Sequence, residues 1–210
     1  MDSISEITAF FSLDQPEQDR LTKYGEFFRA WNTKINLVSR TDIDHFFRHH
    51  VLHALVIKAW IEWVPGTIII DAGSGGGLPG LPLAILNPDC LFYLCDSTQK
   101  KMKAVDDMVS ALGLSNVQTL PVRLESLRLQ ADFVIARGLA ETKQIIQWTR
   151  HLLSAKEKNA VPNGWILLKG GAVKQELSDL PKKMYHEMVS VYNFFPIEYY
   201  REKYLVYLQK

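Results

Sequence analysis

Apolar positions in the first 65 residues recur at helical spacing, with Leu21, Tyr24, Phe28 and Trp31 three to four apart ahead of the turn-prone run NTKIN. A helical leader is expected there. After Trp63-Val64-Pro65-Gly66 the texture changes: short apolar runs ending in acidic or glycine residues alternate with amphipathic segments about ten or more residues long. The runs predict strands at residues 67–73 (TIIIDAG), 90–96 (CLFYLCD), 116–121 (NVQTLP), 132–137 (DFVIAR) and 164–170 (GWILLKG). Apolar strands separated by helices are the signature of a parallel sheet covered on both faces, so the fold class is α/β. Between the second and third strands, Met102, Val105, Val109 and Leu112 form one helical stripe, and Gly113 is a C-cap candidate. The tail, residues 190–210, has two β-prone runs and no room for a crossover helix, which predicts an antiparallel hairpin.

Composition adds limits. At 210 residues, with 47% hydrophobic and 22% charged, the chain has the make-up of one ordinary globular unit, a leader over 1–65 packed on a domain over 66–210, expected as a monomer. A formal charge of +1 supplies no global field, so nucleic-acid contacts must come from local patches. No apolar run reaches the roughly 20 residues of a membrane span, and the start lacks a basic region before an apolar stretch. Cys90 and Cys95, five apart on a strand, would face opposite ways and cannot chelate a metal together. A cytoplasmic protein without membrane contact is expected.

The chemistry concentrates in DAGSGGGLPG, residues 71–80. A glycine turn after the first strand of a parallel sheet is where such folds bind ligands. Gly73 permits the tight turn, Gly75 and Gly77 allow close approach, and a helix opening near Leu78 would aim free N–H groups at the ligand. Gly75, Gly77 and Gly80 also match the dinucleotide pattern G-x-G-x-x-G, which keeps an NAD(P)-dependent oxidoreductase open. Asp71 just before the glycines matches instead the first motif of S-adenosylmethionine-dependent methyltransferases. Asp96, closing the second strand, could accept both ribose hydroxyls of either cofactor.

Seven blocks in order, WNTKINLVSRTD, FFRHHVLHAL, DAGSGGGLPGLPLAI, LCDSTQKK, ARGLA, WILLKGG and KYLVYLQK, are more specific than the turn. With them the chain resembles the bacterial small-subunit (16S) ribosomal RNA guanine-N7 methyltransferases, also called the glucose-inhibited division protein B family. The resemblance implies a Rossmann-like, mostly parallel seven-stranded sheet with an antiparallel C-terminal hairpin, S-adenosyl-L-methionine as cofactor, and ribosomal RNA in the small subunit or an assembly intermediate as partner. It implies cofactor contacts at Gly73, Gly75, Gly77, Leu78, Asp96, Ser97, Leu124, Glu125 and Arg137, with Arg137 and Lys169 as catalytic residues at the ends of the fourth and fifth strands. The chain departs from the family at Gly76, often Pro, at Gly138, usually Ala, and at His53 and Ala54, where the motif R-H-x-x-D-S loses its carboxylate and hydroxyl.

Guanine N7 carries an in-plane lone pair, so its methylation needs no general base, only positioning. Arg137 cannot take the usual bidentate grip on O6 and N7 without occupying the nucleophile. The O6 side, a phosphate or the cofactor carboxylate is expected for it. Candidate RNA contacts are Arg40, Arg48, His49 and His50 in the leader, Lys100, Lys101 and Lys103 after Asp96, and Lys169. His45, His49 and His53 are spaced for one helical face, but HHVLH lacks the Glu of H-E-x-x-H and a third ligand, so no metal is expected. A non-catalytic RNA-binding assembly factor on the same fold is the remaining reading; the intact glycines and Asp96 argue against it.

Overall fold

The computed structural model describes residues 1–171 and 173–210. Seven strands, β1 (Ile68–Ala72), β2 (Leu91–Cys95), β3 (Val117–Leu120), β4 (Phe133–Arg137), β5 (Gly164–Gly170), β6 (His186–Ser190) and β7 (Lys203–Gln209), form one sheet. Its order is β3-β2-β1-β4-β5-β7-β6. The pairs from β3 to β5 are parallel, and β7 runs antiparallel to both its neighbours. Strand order reverses between β1 and β4, which opens a crevice beyond their carboxyl ends.

The helices are α1 (Ser5–Thr8), α2 (Gln15–Asn32), α3 (Leu52–Trp60), α4 (Gly80–Ile85), α5 (Gln99–Leu112), α6 (Thr142–Thr149) and α7 (Val173–Ser178). A capping box starts α2: Glu17 N donates to Asp14 Oδ1 at 2.8 Å and Asp14 N to Glu17 Oε2 at 2.9 Å. At its end the Asn32 carboxamide oxygen accepts from Leu37 N and Val38 N, which folds the NTKIN turn. A π-helical stretch, Phe46–Val51, leads straight into α3. The stripe foreseen on α5 is buried, and Gly113 caps the helix at φ 64°.

Alternation along the strands divides the core in two. Ile69, Phe92, Leu94, Phe133 and Ile135 pack with Ile7, Tyr24, Phe28 and Phe46 of the leader and with Met102 and Val105 of α5. Ile70, Ala72, Val134, Ala136, Trp165 and Leu167 pack on the other face with Ile145 of α6 and Val173 of α7. Cys90 and Cys95 are free thiols in clusters on opposite faces.

Two expectations need correction. The hairpin pairs β6 with β7, but its first strand is HEMVS, upstream of the aromatic run. That run forms short 3-10 turns at Val191–Asn193 and Glu198–Tyr200. Its rings serve the leader: Phe195 packs on Phe10 and Phe11, and Tyr200 Oη donates to the Arg48 carbonyl. The helix after the glycines begins at Gly80, two residues later than foreseen, because Ser74 O first accepts from Gly77 N and Leu78 N.

Candidate active site

The turn between β1 and α4 uses all its amides but that of Gly76 internally. Gly73 N and Ser74 N donate to Cys95 O at 2.8 and 3.0 Å, and Gly77 N and Leu78 N to Ser74 O at 2.8 and 2.9 Å. Gly75 N donates to Asp96 Oδ2 at 3.1 Å and Gly80 N to Asp71 Oδ2 at 2.8 Å. The free N–H groups foreseen near Leu78 are therefore engaged. Asp71 is fully buried at the end of β1, and burial pushes its carboxyl up to about 7, against the Gly80 N–H and the Arg137 charge. Gly80 must lack a side chain, since a Cβ there would sit 2.7 Å from Asp71 Oδ2.

Beyond the strand ends lies a half-open cavity of about 270 Å³. Gly73, Cys95, Asp96 and Ser97 form its floor, Val122, Arg123, Leu124 and Glu125 one wall, and Leu139 and Trp148 the other. Gly73 has φ +68°, and a Cβ on it would overlap Leu139 Cδ1, so the loop after β4 seats directly on the turn. Each Asp96 oxygen accepts one backbone N–H, from Gly75 or from Thr98 at 2.8 Å, which leaves a second lone pair on each. Carboxylates among apolar walls suit a group bearing hydroxyls and a flat ring. A pyrophosphate would want the amides that the turn has already spent.

Arg137 and Lys169 diverge. Arg137 pairs in register with Leu168, so residues 137 and 169 project to opposite faces of the sheet. Arg137 is half-buried on the leader face, where its Nη1 donates to His50 Nδ1 at 3.1 Å. Lys169 Nζ donates to Ala140 O and to Glu176 Oε2, both at 2.7 Å, with its side chain 9% exposed. Lys169, expected as a catalytic and RNA-contacting residue, thus lies on the sheet face opposite Arg137 with its amine engaged.

A family model described as "rRNA small subunit methyltransferase G" (GidB) matches residues 17–202. The chain belongs to this family. The "Ribosomal RNA small subunit methyltransferase G" of Porphyromonas gingivalis is 38% identical over 200 residues, 95% of this chain and 90% of that protein. The protein of the same name from Flavobacterium johnsoniae is 35% identical over 206 residues, 98% and 97% of the two chains. Among solved structures, a "SAM dependent methyltransferase" from Aquifex aeolicus overlays with a TM-score of 0.57 at 16% identity, covering 81% of this chain and 98% of that one. That likeness concerns the fold.

Of the contacts expected from the methyltransferase family, Gly73, Asp96, Ser97, Leu124 and Glu125 line the cavity. Gly75, Gly77, Leu78 and Arg137 are not on its walls; the first three shape the turn behind it. Sequence reasoning weighed Cys95 only as a strand thiol and did not single out Val122, Arg123, Leu139 or Trp148. Leu139 lay within the quoted ARGLA block, whereas Trp148 carried no signal, because which face of α6 meets the crevice depends on packing. For the nicotinamide reading the glycine match was the main support, and the spent amides together with family membership overturn it.

The leader residues fall into two groups. Arg48 Nε and Nη2 grip both oxygens of Glu6 at 2.9 and 2.8 Å with the side chain still 41% exposed, whereas His50 is buried on Arg137 and is not presented to solvent. His49 Nδ1 lies 2.6 Å from Asp42 Oδ1, and its ring stacks on Tyr199 at 3.6 Å. Arg40 is exposed on the loop whose Leu37 lies against Gly76. Lys100 and Lys103 are exposed and Lys101 half-buried in the first turns of α5, which starts beside Asp96. Each patch thus adjoins a segment that touches the glycine turn, through Leu37 and through Asp96. Among the described residues no group of three or more His, Cys, Asp or Glu could hold a metal ion, and no helix is long and apolar enough to cross a membrane.

Proposed function

We propose that this chain transfers the methyl group of S-adenosylmethionine to N7 of one guanine in 16S ribosomal RNA. The observation that carries the reading is the chemistry of the crevice: turn amides bonded to protein acceptors, beside a cavity with a carboxylate aimed into it. A cofactor recognised through a ribose diol and a purine, without phosphates, suits that donor set. Asp96 would accept the two ribose hydroxyls with its spare lone pairs, and Leu124, Val122, Leu139 and Trp148 would enclose the base. S-adenosylmethionine would supply an electrophilic methyl on a sulfonium centre.

Because guanine N7 has its lone pair ready, no side chain need remove a proton, and the residues have only to position the two reactants. Arg137 would hold an oxygen of one of them: guanine O6, a phosphate or the cofactor carboxylate. The substrate is a ribosomal RNA within the small subunit or an assembly intermediate, met in the cytoplasm by a monomer.

The test is mass spectrometry of 16S ribosomal RNA from cells with and without the chain. One 7-methylguanosine should vanish on deletion, return with the wild type, and stay absent or strongly reduced with Asp96→Ala, which removes two charge-assisted hydrogen bonds of about 1.5–3 kcal/mol each. An unchanged methylation profile on deletion would remove the function.

A further inference from the structure

We propose that neutral His50, beside Asp42, is a positioning residue that aims Arg137 while leaving the guanidinium charge free for an oxygen of substrate or cofactor. The inference rests on the methyl-transfer reading above for what Arg137 does, but its geometry stands by itself.

Arginine has donors only, so the 3.1 Å contact between Arg137 Nη1 and His50 Nδ1 requires a lone pair on Nδ1. The imidazole must then be neutral, with its proton on Nε2. That nitrogen lies 2.8 Å from Asp42 Oδ2, outside hydrogen-bond alignment, and the nearby negative charge favours a proton there. Burial first, and then the Arg137 charge, push the His50 pKa down to about 4, against the pull of Asp42. The other oxygen of Asp42 holds His49, whose ring lies flat on Tyr199. One carboxylate thus bonds His49 and lies beside His50 in the π-helical turn.

The choice of an imidazole has an electrostatic consequence. Among the described residues Arg137 forms no ion pair; the Asp71 and Asp42 carboxylates act on it only at longer range, and one oxygen of Asp71 is bound to Gly80 N. A carboxylate in place of His50 would hold the guanidinium equally well and cancel its charge. A neutral acceptor holds one nitrogen and leaves the cation and its remaining N–H groups for an incoming oxygen. The arrangement also removes His50 from any direct contact with RNA, being 8% exposed.

The substitutions separate the two ring nitrogens. His50→Asn places an acceptor near the Nδ1 position, whereas His50→Gln places one near Nε2. In methylation of purified small subunits, His50→Ala and His50→Gln should lower kcat by about 10²-fold, as a misplacement of about 1 Å does. His50→Asn should recover most of that loss. Equal activity of the Ala and Asn variants, high or low, overturns the proposal. An independent reading comes from long-range proton–nitrogen NMR spectra of the His50 ring in the wild type at pH 7. The Nε2–H tautomer is expected; an Nδ1–H tautomer or an imidazolium overturns the proposal even if the wild type transfers no methyl group, the outcome that would instead sink the underlying function.

Discussion

A carboxylate titrating near neutrality inside a core makes a measurable mark, and Asp71 is that residue. Folded, its carboxyl titrates at about 7; the ordinary value is 3.8. Between those limits the folded chain keeps a proton that the unfolded chain releases, so this group's contribution to stability declines as pH rises from about 4 to 7, by about 4 kcal/mol in all. His50 acts in the opposite sense. Its folded pKa of about 4 lies below the ordinary 6.5, so its contribution grows as pH rises across that window. Asp71→Asn keeps an acceptor for Gly80 N–H and removes only the first effect. Urea unfolding at pH 4 to 7 should therefore show the variant gaining on the wild type by several kcal/mol toward neutral pH. A constant gap would mean that Asp71 is ionised throughout. Asp71 was legible in the sequence as part of a cofactor turn. That its carboxylate faces Gly80 was not, since the start of α4 is set by where Ser74 O finds its donors.

At the scale of elements, α7 is tied to α6 and β5 through one carboxylate. Glu176 Oε2 accepts from Thr142 N at 2.9 Å, Thr142 Oγ1 at 2.7 Å and Lys169 Nζ at 2.7 Å. Burial alone would raise its carboxyl, but these donors together hold it below the usual range. The same lysine binds Ala140 O, so one cluster ties α6, β5 and the loop carrying Leu139. Glu176→Ala should cost about 3–5 kcal/mol, the price of orphaning a buried cation, and Lys169→Met with Glu176→Ala should recover part of it. Thermal unfolding of both variants checks this, and an additive double variant would contradict it. The five parallel strands were legible from their apolar runs, and α5 from its stripe. The pairing of Lys169 was not, because the face on which a strand residue projects follows from register, and register comes from contacts distant in sequence. The misplaced first hairpin strand has a related cause: an aromatic run suits a strand, yet here its rings are used to bind the leader to the sheet.

The whole molecule is almost neutral, with a formal charge of +1, and yet must hold a polyanion. Attraction can come only from where the cations stand. Lys100, Lys101 and Lys103 lie at the start of α5 without an ion-pair partner among the described residues, and Arg40 lies across the glycine turn. By contrast, Arg29, Arg48 and Lys169 are committed to Asp2, Glu6 and Glu176. Counterion release then makes a quantitative demand: each single-strand phosphate contacted contributes about −0.7 to the slope of log K against log salt. If all three α5 lysines meet phosphates, replacing them together by alanine should make the slope for small-subunit binding shallower by about 2. Cofactor affinity should stay as it was, since Asp96 and the cavity walls are untouched. An unchanged slope would place the RNA on another face and leave α5 as a solvated helix. A shallower slope with intact cofactor binding would mean that the free lysines beside Asp96 guide the RNA to the crevice.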